Sequence, residues 1–380
     1  MLARSRTLLA GLSVFALATV GCSSSSSTGT GPGGSSGGSS GGSSGGSSGG
    51  SSGGSSGGSS GSSGGSGSGS GSSSGGATSC APVNATSSWT NGQSIASNLT
   101  IAAGDTVTID PGATVNVGSG VTITVLGSLS ACSTSPAKLS GSSWVGIVVG
   151  SGGTLALDGV DITGASAALD VQGGGTAEYD DGTIVSSKQP INVAKGGTLG
   201  TKHSTFSGVT GGCSVAGSFT ASFLTYEAPA VGPATFDGIT TTDPTAQLSV
   251  EDSTFTGPGP NGVLHDMLVS NSAAKFHVAY TNISNMHCGF HINGLSEMDV
   301  SYVNDDSNAY GFMLYGSGGA GPFTVSYSNL TSNGEDYSTL GQNSPITFDH
   351  DHMTDMDSDL GNVVSTTNPQ SSMVPGTGPR

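Results

Sequence analysis

Apolar residues recur along the chain in a unit that repeats every 20 to 29 residues. Aligned on its first apolar residue, each unit can be followed through positions 0, +2, +4, +6 and +7, of which 0, +2 and +7 are mostly apolar. Alternation with a period of two is typical of a β-strand, and a repeat of this length is typical of one coil of a solenoid. The units begin at Leu155, Ala177, Leu199, Phe219, Leu248, Phe276, Met298, Phe323 and Ile346.

Two further patterns keep the same phase. Gly-Gly-Thr triplets begin at 152, 174 and 196, and each unit carries another short apolar strand about fourteen residues after its start. The Leu-x-x-Leu-x-Leu pattern of leucine-rich repeats is absent, and a β-sandwich would not keep a fixed phase. The sequence therefore predicts an all-β fold, a parallel β-helix over residues 80–362.

Earlier coils precede the first full unit, for example at Leu99–Ile101 and Val121–Val125. With Asp110–Thr114 and Trp144–Ile147, this region is similar to the start of bacterial surface proteins in the pectate-lyase-like β-helix superfamily. The resemblance covers roughly residues 95 to 360. It implies a right-handed parallel β-helix and is specific for fold, not for activity.

The N-terminus predicts secretion and a lipid anchor. Arg4 and Arg6 precede a short apolar run, Leu8–Val20, which is typical of a signal peptide. The run ends at Cys22 in a sequence that resembles a bacterial lipobox, which implies lipid attachment at Cys22 and delivery to the outer membrane or cell surface. Residues 23–79 are almost pure Ser and Gly, so we expect a disordered linker there and a flexible tail at 363–380.

The composition argues against two classes of partner. The chain has 8 Lys and Arg against 25 Asp and Glu, a net charge of −17. Nucleic acids and anionic headgroups are held largely by phosphate neutralisation, so we expect no nucleic-acid binding and attachment to the membrane through lipid alone. We expect a monomer.

Four cysteines follow Cys22. Cys80 and Cys132 lie at the predicted start of the β-helix, where a disulfide is plausible in an oxidising compartment. Cys213 and Cys288 lie three coils apart, which at about 4.8 Å per coil is roughly 14 Å. This exceeds the Cα separation that a disulfide spans, so we expect both to be buried and unpaired.

Asparagine occupies position +6 in three successive units, at Asn282, Asn304 and Asn329. The pattern resembles the asparagine ladder of the pectate-lyase-like superfamily, in which stacked amides satisfy each other as donors and acceptors. Asp305 stands at position +7, which is otherwise mostly apolar, and is therefore a candidate site residue together with Asp306.

The sequence matches no catalytic set of the superfamily. Its lyases use an arginine base, and no arginine occurs between Arg6 and Arg380. Its polygalacturonases carry four motifs, of which Asn304–Asp306 matches one in part. A carboxylate pair at another spacing could serve acid/base hydrolysis, but an adjacent Asp-Asp is more often a solvated turn.

The segment with Asp355, Asp357 and Asp359 resembles a calcium loop, because alternating carboxylates can converge on one hard cation. Its glycine lies one place away from the position that an EF-hand loop requires. The segment therefore does not match the EF-hand family. The alternative is an acidic, solvated C-terminal cap. Calcium is the only cofactor that the sequence suggests. His350 and His352, two residues apart, are expected to point inward.

Aligned coils place His287, Tyr310 and Asp336 on one edge of the rod, after the +7 position. His291 is expected to turn outward beside this edge, and His265 and Asp266 lie on an insertion that could fold over it. Long loops beside a rigid sheet often carry function, and these groups suit sugar hydroxyls. The alternative is a set of inert surface side chains.

We therefore expect a non-catalytic, surface-anchored β-helix that binds a glycan or another envelope component. The first alternative is a polysaccharide hydrolase or lyase with an atypical site, and the second is a structural spacer. A hydrolase requires carboxylates that converge in an open groove.

Overall fold

The structure is a computed structural model of the 380-residue chain. It describes residues 85–230, 235–260, 264–273, 275–294, 296–315, 323–340, 345–354, 358–359 and 364–380, all within the unit formed by Cys80–Arg380. In this described part every regular element is a β-strand. None of it forms a helix of the length and hydropathy needed to cross a bilayer.

The strands stack in parallel as a right-handed β-helix of about 11 turns, which confirms the predicted fold. Three sheets run along the axis, and the long strands β7 and β9 belong to both the first and the second. The first sheet contains β1 (Ser87–Trp89), β4 (Thr106–Ile109), β7 (Ser128–Trp144), β9 (Thr154–Ala165), β11 (Thr176–Asp180), β14 (Thr198–Lys202), β17 (Ser218–Ser222), β20 (Gln247–Glu251), β23 (Lys275–Ala279), β26 (Met298–Ser301), β29 (Phe323–Ser326), β32 (Ile346–Asp349) and β35 (Val364–Thr367).

The second sheet contains, besides β7 and β9, the strands β2 (Ser94–Ile95), β5 (Thr114–Val117), β12 (Thr183–Val185), β15 (Thr205–Ser207), β18 (Thr225–Glu227), β21 (Thr254–Thr256), β24 (Asn282–Ser284), β27 (Asn304–Asp306), β30 (Asn329–Thr331) and β33 (His352–Met353). The third contains β3 (Leu99–Ile101), β6 (Thr122–Val125), β8 (Gly146–Val149), β10 (Ala167–Val171), β13 (Gln189–Val193), β16 (Cys213–Val215), β19 (Thr235–Thr242), β22 (Leu264–Ser272), β25 (Cys288–Ile292), β28 (Tyr310–Tyr315), β31 (Glu335–Leu340) and β34 (Ser358–Asp359).

The register of the first sheet is the one that the repeat predicts. The first residues of successive units are direct partners, from Leu155 opposite Ala177 to Phe323 opposite Ile346. Their side chains are buried in the apolar interior of the solenoid. The threonines of the Gly-Gly-Thr triplets, Thr154, Thr176 and Thr198, also pair in line.

Position +4 differs from the prediction, because it is a corner and not part of one continuous strand. Residues at this position from Asp181 to His350 have positive φ, between 48° and 60°. A left-handed conformation costs a non-glycine residue about 1–2 kcal/mol. The rings of Tyr280, Tyr302, Tyr327 and His350 stack at this corner, with centroids 4.8 to 5.2 Å apart. Stacking worth about 0.5–1.5 kcal/mol per pair offsets much of that strain.

The expected inward orientation of His350 and His352 is wrong. His350 lies at the corner, where its ring stacks on Tyr327 and its side chain is partly exposed. His352 lies at position +6, and its Nδ1 is 3.0 Å from the backbone oxygen of Gln370. The corner at +4 changes the phase of the alternation, so a period of two counted through it assigns the wrong face.

The asparagine ladder is present. Asn304 Nδ2 donates to Asn282 Oδ1, and Asn329 Nδ2 donates to Asn304 Oδ1, each at 2.9 Å. Asn329 ends the ladder against the C-terminal tail, because its Oδ1 accepts from Val374 N at 2.7 Å.

The C-terminal segment, which we expected to be a flexible tail, is bonded to the solenoid. Strand β35 pairs with β32, and the following residues run back along the second sheet. Gly378 N donates to Tyr302 O, and the Arg380 guanidinium donates two hydrogen bonds of 3.0 Å to the Asp252 carboxylate. Arg380 Cζ also lies 3.7 Å from the Tyr280 ring centroid. An arginine at the end of the chain thus ties the tail to coils far earlier in the sequence.

The cysteines fall into two groups. Cys213 and Cys288 are buried and form no disulfide, which confirms that prediction. Cys132 is disulfide-bonded. Cys22 and Cys80 lie outside the described residues, so the pairing of Cys132 with Cys80 stays a prediction.

Candidate functional site

The third sheet carries a polar cluster formed by Asp266, His287, Cys288 and His291. Asp266 belongs to β22, and the other three come from the next coil, in or just before β25. Asp266 is the lateral partner of Cys288, which brings residues about 22 positions apart into contact. These side chains therefore meet because they are separated by the length of one coil.

The Asp266 carboxylate is the centre of the cluster. Its Oδ2 lies 2.7 Å from His291 Nδ1, and its Oδ1 lies 3.4 Å from His287 Nδ1. His287 Nδ1 is in turn 3.3 Å from Cys288 Sγ. Asp266, Cys288 and His291 are almost fully buried, and the His287 side chain is 13% exposed.

This cluster lies on the opposite side of the sheet from the main core. Phe290 and Ile292 pack in the core of the solenoid, whereas Cys288 and Met313 are buried without belonging to it. The Cys288 and Met313 sulfur atoms are 4.0 Å apart. His291 does face away from Phe290, as expected, but it is 3% exposed and hydrogen-bonded, not a solvent-exposed side chain.

The surroundings hold Asp266 as a carboxylate. Burial by itself raises the pKa of Asp266, but hydrogen bonds from His287 and His291 and the charge of His291 lower that pKa well below its ordinary value. The carboxylate is therefore ionised in this buried environment.

Tyr310, the first residue of β28, extends the cluster along the edge of the sheet. Its ring meets the His287 ring edge to face, with the centroids 5.4 Å apart. Both side chains are partly exposed. The structure thus brings together four of the predicted candidates, Asp266, His287, His291 and Tyr310, and adds Cys288 and Met313.

Asp336 does not lie on this edge, because its side chain is fully buried. Its Oδ1 accepts from Asn333 Nδ2 at 3.2 Å, and its Oδ2 accepts from Thr354 N at 2.5 Å. Asn333 Nδ2 also donates to the backbone oxygen of Asp305 at 3.0 Å, and the charge of Asp336 raises the pKa of Asp305. Both carboxyls thus lie in the interior of the rod.

Asp305 is the most unusual group in that interior. It lies between Ile283 and Leu330 in the stack at position +7, so it occupies a core position. Asn308 Nδ2 donates to its Oδ1, whereas its Oδ2 is buried without a hydrogen-bond partner. Burial, and then the neighbouring Asp336 and Asp306, raise the pKa of Asp305 well above its ordinary value. These surroundings favour the protonated, neutral form of Asp305.

Asp306 faces the other way, since successive strand residues point to opposite sides. Its carboxylate accepts hydrogen bonds from Ser307 Oγ at 2.8 Å and Thr331 Oγ1 at 2.9 Å. The adjacent Asp305 and Asp306 therefore form no shared carboxylate pair.

Four candidates are not settled by geometry. Asp355 and Asp357 lie outside the described residues, and the side chains of Asp359 and His265 do so as well. The calcium site at Asp355, Asp357 and Asp359 stays a prediction.

Sequence reasoning did not select Cys288 as a site residue. The available signal was its position beside His287 and two residues before the apolar Phe290. Cysteine, histidine and aspartate together suit either a nucleophilic thiol or a metal ligand set. The Cys288 side chain has no exposed surface, so a substrate could not approach its sulfur in this conformation.

A shallow groove lies on the same sheet, between β16 and β19. It has a volume of about 310 Å³ and is lined by Gly211, Gly212, Cys213, Ser214, Phe236, Asp237, Thr240 and Thr242. The coil with Asp266 follows directly, because Asp237 is the lateral partner of Asp266.

Comparisons with protein-family profiles, with curated proteins and with solved structures found no match to this chain.

Proposed function

We propose that this protein is a non-catalytic, lipid-anchored β-helix that binds a neutral glycan or another envelope component on its third sheet. In this proposal Cys22 carries the lipid, residues 23–79 form the tether, and the protein is displayed at the outer membrane or cell surface. Membership of the pectate-lyase-like superfamily is part of the same proposal and rests on the sequence resemblance.

One observation carries the binding face: the groove and the His287–Tyr310 pair lie along one sheet. The groove offers the hydroxyls of Ser214, Thr240 and Thr242 and the Asp237 carboxylate. Such groups are suited to hydrogen bonds with sugar hydroxyls. The aromatic pair follows two to three coils further, about 10–15 Å along the axis. An extended ligand lying along the rod would contact both.

The ring ladder at position +4 is less suited to sugar binding. A sugar packs its CH groups on the open face of a ring, and the Tyr302 and Tyr327 rings are stacked between neighbours on both faces. This packing favours a structural role for the ladder. The proposed binding face is therefore the third sheet.

Burial of the acidic pair favours binding over hydrolysis. A glycoside hydrolase needs two carboxyl groups in contact with its substrate. The side chains of Asp305 and Asp336 are fully buried, so a polysaccharide could not contact them in this conformation.

Binding of the full chain to neutral polysaccharides and to envelope fractions tests the proposal. The double variant Asp237→Ala/Thr240→Ala should bind about tenfold more weakly or worse, because two hydrogen-bonding groups are removed. The matched control is Thr198→Ala/Thr220→Ala, at exposed positions of the first sheet, which should bind like the unaltered chain. Melting temperatures of all variants check that the fold is kept.

Other results would contradict the proposal. Release of soluble oligosaccharides from any polysaccharide would favour the hydrolase or lyase alternative. Absence of binding to every fraction would favour the spacer, and equal binding by both double variants would exclude the groove.

A further inference from the structure

The cluster on the third sheet has the geometry of a metal site. We propose that Asp266, His287 and Cys288 bind a thiophilic metal ion, Zn²⁺ or Cu⁺, with the Met313 thioether as an additional ligand for copper. The site is distinct from the calcium loop expected near the C-terminus and does not depend on glycan binding.

Two separations between the ligand atoms are close to those around a tetrahedral ion. Metal–ligand distances near 2.0 Å for oxygen and nitrogen and 2.3 Å for sulfur imply separations of about 3.3 Å between O and N and about 3.6 Å between N and S. The observed separations are 3.4 Å for Asp266 Oδ1 to His287 Nδ1 and 3.3 Å for His287 Nδ1 to Cys288 Sγ. All three ligand atoms lie within 4.8 Å of one another.

The neighbouring side chains supply what such a site needs around its ligands. His291 Nδ1 holds the second oxygen of Asp266 at 2.7 Å, which fixes the orientation of the carboxylate. Groups that orient a ligand in this way typically contribute 10–100-fold to metal affinity. Met313 Sδ lies 4.0 Å from Cys288 Sγ, close to the separation of about 3.8 Å that two sulfur ligands of one tetrahedral ion have.

The donor set selects the class of ion. A thiolate, an imidazole and a thioether are soft or borderline ligands and favour Zn²⁺ or Cu⁺ over Ca²⁺ or Mg²⁺. Binding replaces the proton of the Cys288 thiol, which leaves to solvent, and requires His287 with its proton on Nε2. Affinity should therefore fall on acidification. The ion would enter beside His287, the most exposed of the three ligands.

Metal titration of the full chain tests the site. The chain is purified anaerobically without reductant, which preserves the Cys132 disulfide, and is freed of metal with a chelator. Co²⁺ serves as the spectroscopic probe, and Zn²⁺ and Cu⁺ are each titrated against a coloured competitor. We expect one ion per chain, with a thiolate-to-cobalt charge-transfer band that Zn²⁺ abolishes by displacement.

Matched variants locate the ligands. Cys288→Ser should remove the thiolate band, whereas Cys213→Ser, at the other buried cysteine of the same sheet, should keep it. His291→Gln should weaken binding 10–100-fold without changing the stoichiometry. Met313→Leu should weaken Cu⁺ binding more than Zn²⁺ binding, which distinguishes the two ions.

A measurement on the unaltered chain covers the case in which Cys288→Ser does not fold. In mild denaturant, Zn²⁺ should slow alkylation of Cys288 but leave that of Cys213 unchanged. The proposal is wrong if cobalt binds without a thiolate band, if the band persists in Cys288→Ser, or if Zn²⁺ and Cu⁺ give no protection. Each outcome is independent of glycan binding, so the two proposals fail separately.

Discussion

The two parts of the solenoid bury different kinds of polar group. Among the described residues before position 247, the buried polar side chains are all hydroxyls, those of Ser187, Thr201, Ser204 and Thr241. After that position the buried groups include a histidine, three asparagines and five aspartates, namely His291, Asn308, Asn329, Asn333, Asp252, Asp266, Asp305, Asp336 and Asp351. The same backbone architecture therefore carries two different interiors.

The difference shows where this fold holds its chemistry. A buried hydroxyl needs only a nearby backbone acceptor, as Thr201 Oγ1 finds in Tyr179 O at 2.6 Å. A buried carboxylate needs charged or multiple partners, and these must come from other coils. Asp266 has two histidines and Asp252 has Arg380, whereas one oxygen of Asp305 has no hydrogen-bond partner and the pKa of Asp305 is raised. The buried candidate site thus lies in the C-terminal coils, whereas the groove that contains Asp237 and Thr240 lies at the surface of the coils before position 247.

The largest effect is expected from a change in the C-terminal core. Phe312 is fully buried, stacks on Phe290 at 4.2 Å and meets Phe348 at 5.7 Å. Phe312→Ala should lower the free energy of unfolding by about 3–5 kcal/mol. Because solenoid coils contact only their neighbours, hydrogen exchange should rise in β25–β32 and stay low in β4–β11. Equal loss of protection in both parts would show that they unfold as one unit.

An intermediate effect on stability is expected from substitution of Asp305, whose carboxyl has one oxygen without a hydrogen-bond partner. Asp305→Leu should raise the free energy of unfolding by about 1–3 kcal/mol at about pH 8 and by less at about pH 5. The raised pKa of Asp305 means that the folded state keeps a proton that the unfolded state releases. The unaltered chain therefore loses stability as the pH rises from about 4, and the variant should lose less.

The control for this substitution is Asp306→Asn, on the same strand but hydrogen-bonded and partly exposed. It should change the pH dependence less than Asp305→Leu does, because burial is the largest cause of the raised pKa of Asp305 and the charge of Asp306 is a smaller one. Burial also raises the pKa of Asp351 to about 7, so part of the dependence should remain in Asp305→Leu up to that pH. Urea unfolding across this pH range measures the free energy of unfolding of both variants. If its pH dependence is unchanged in Asp305→Leu, the raised pKa of Asp305 is contradicted.

The smallest effect is expected from the end of the tail. Arg380→Ala removes two hydrogen bonds to Asp252 and the contact with the Tyr280 ring. The Arg380 side chain is 55% exposed, so solvent screening limits the loss to about 1 kcal/mol. Arg380→Lys should lose most of this as well, since lysine cannot make the bidentate contact. Hydrogen exchange should rise near Asp252 and Tyr280. If exchange there does not change, the contact of Arg380 does not stabilise these coils.

The sequence alone was sufficient to predict the coil and much of its register. Apolar alternation and the fixed repeat length are local properties, so the stacking of Leu155 on Ala177 and the asparagine ladder could be predicted from them. The same register separates Cys213 from Cys288, which is why both could be predicted to be unpaired.

Which side chains point into the core after each corner depends on the tertiary structure. The left-handed residue at +4 shifts the alternation, and in the third sheet consecutive residues such as Met267 and Leu268 both enter the core. A period of two therefore fails there, and the contact of Asp266 with His287 and Cys288, like the inward position of Asp336, could not be predicted. The bond between Arg380 and Asp252 spans 128 positions and leaves no local pattern, so only the folded chain specifies it.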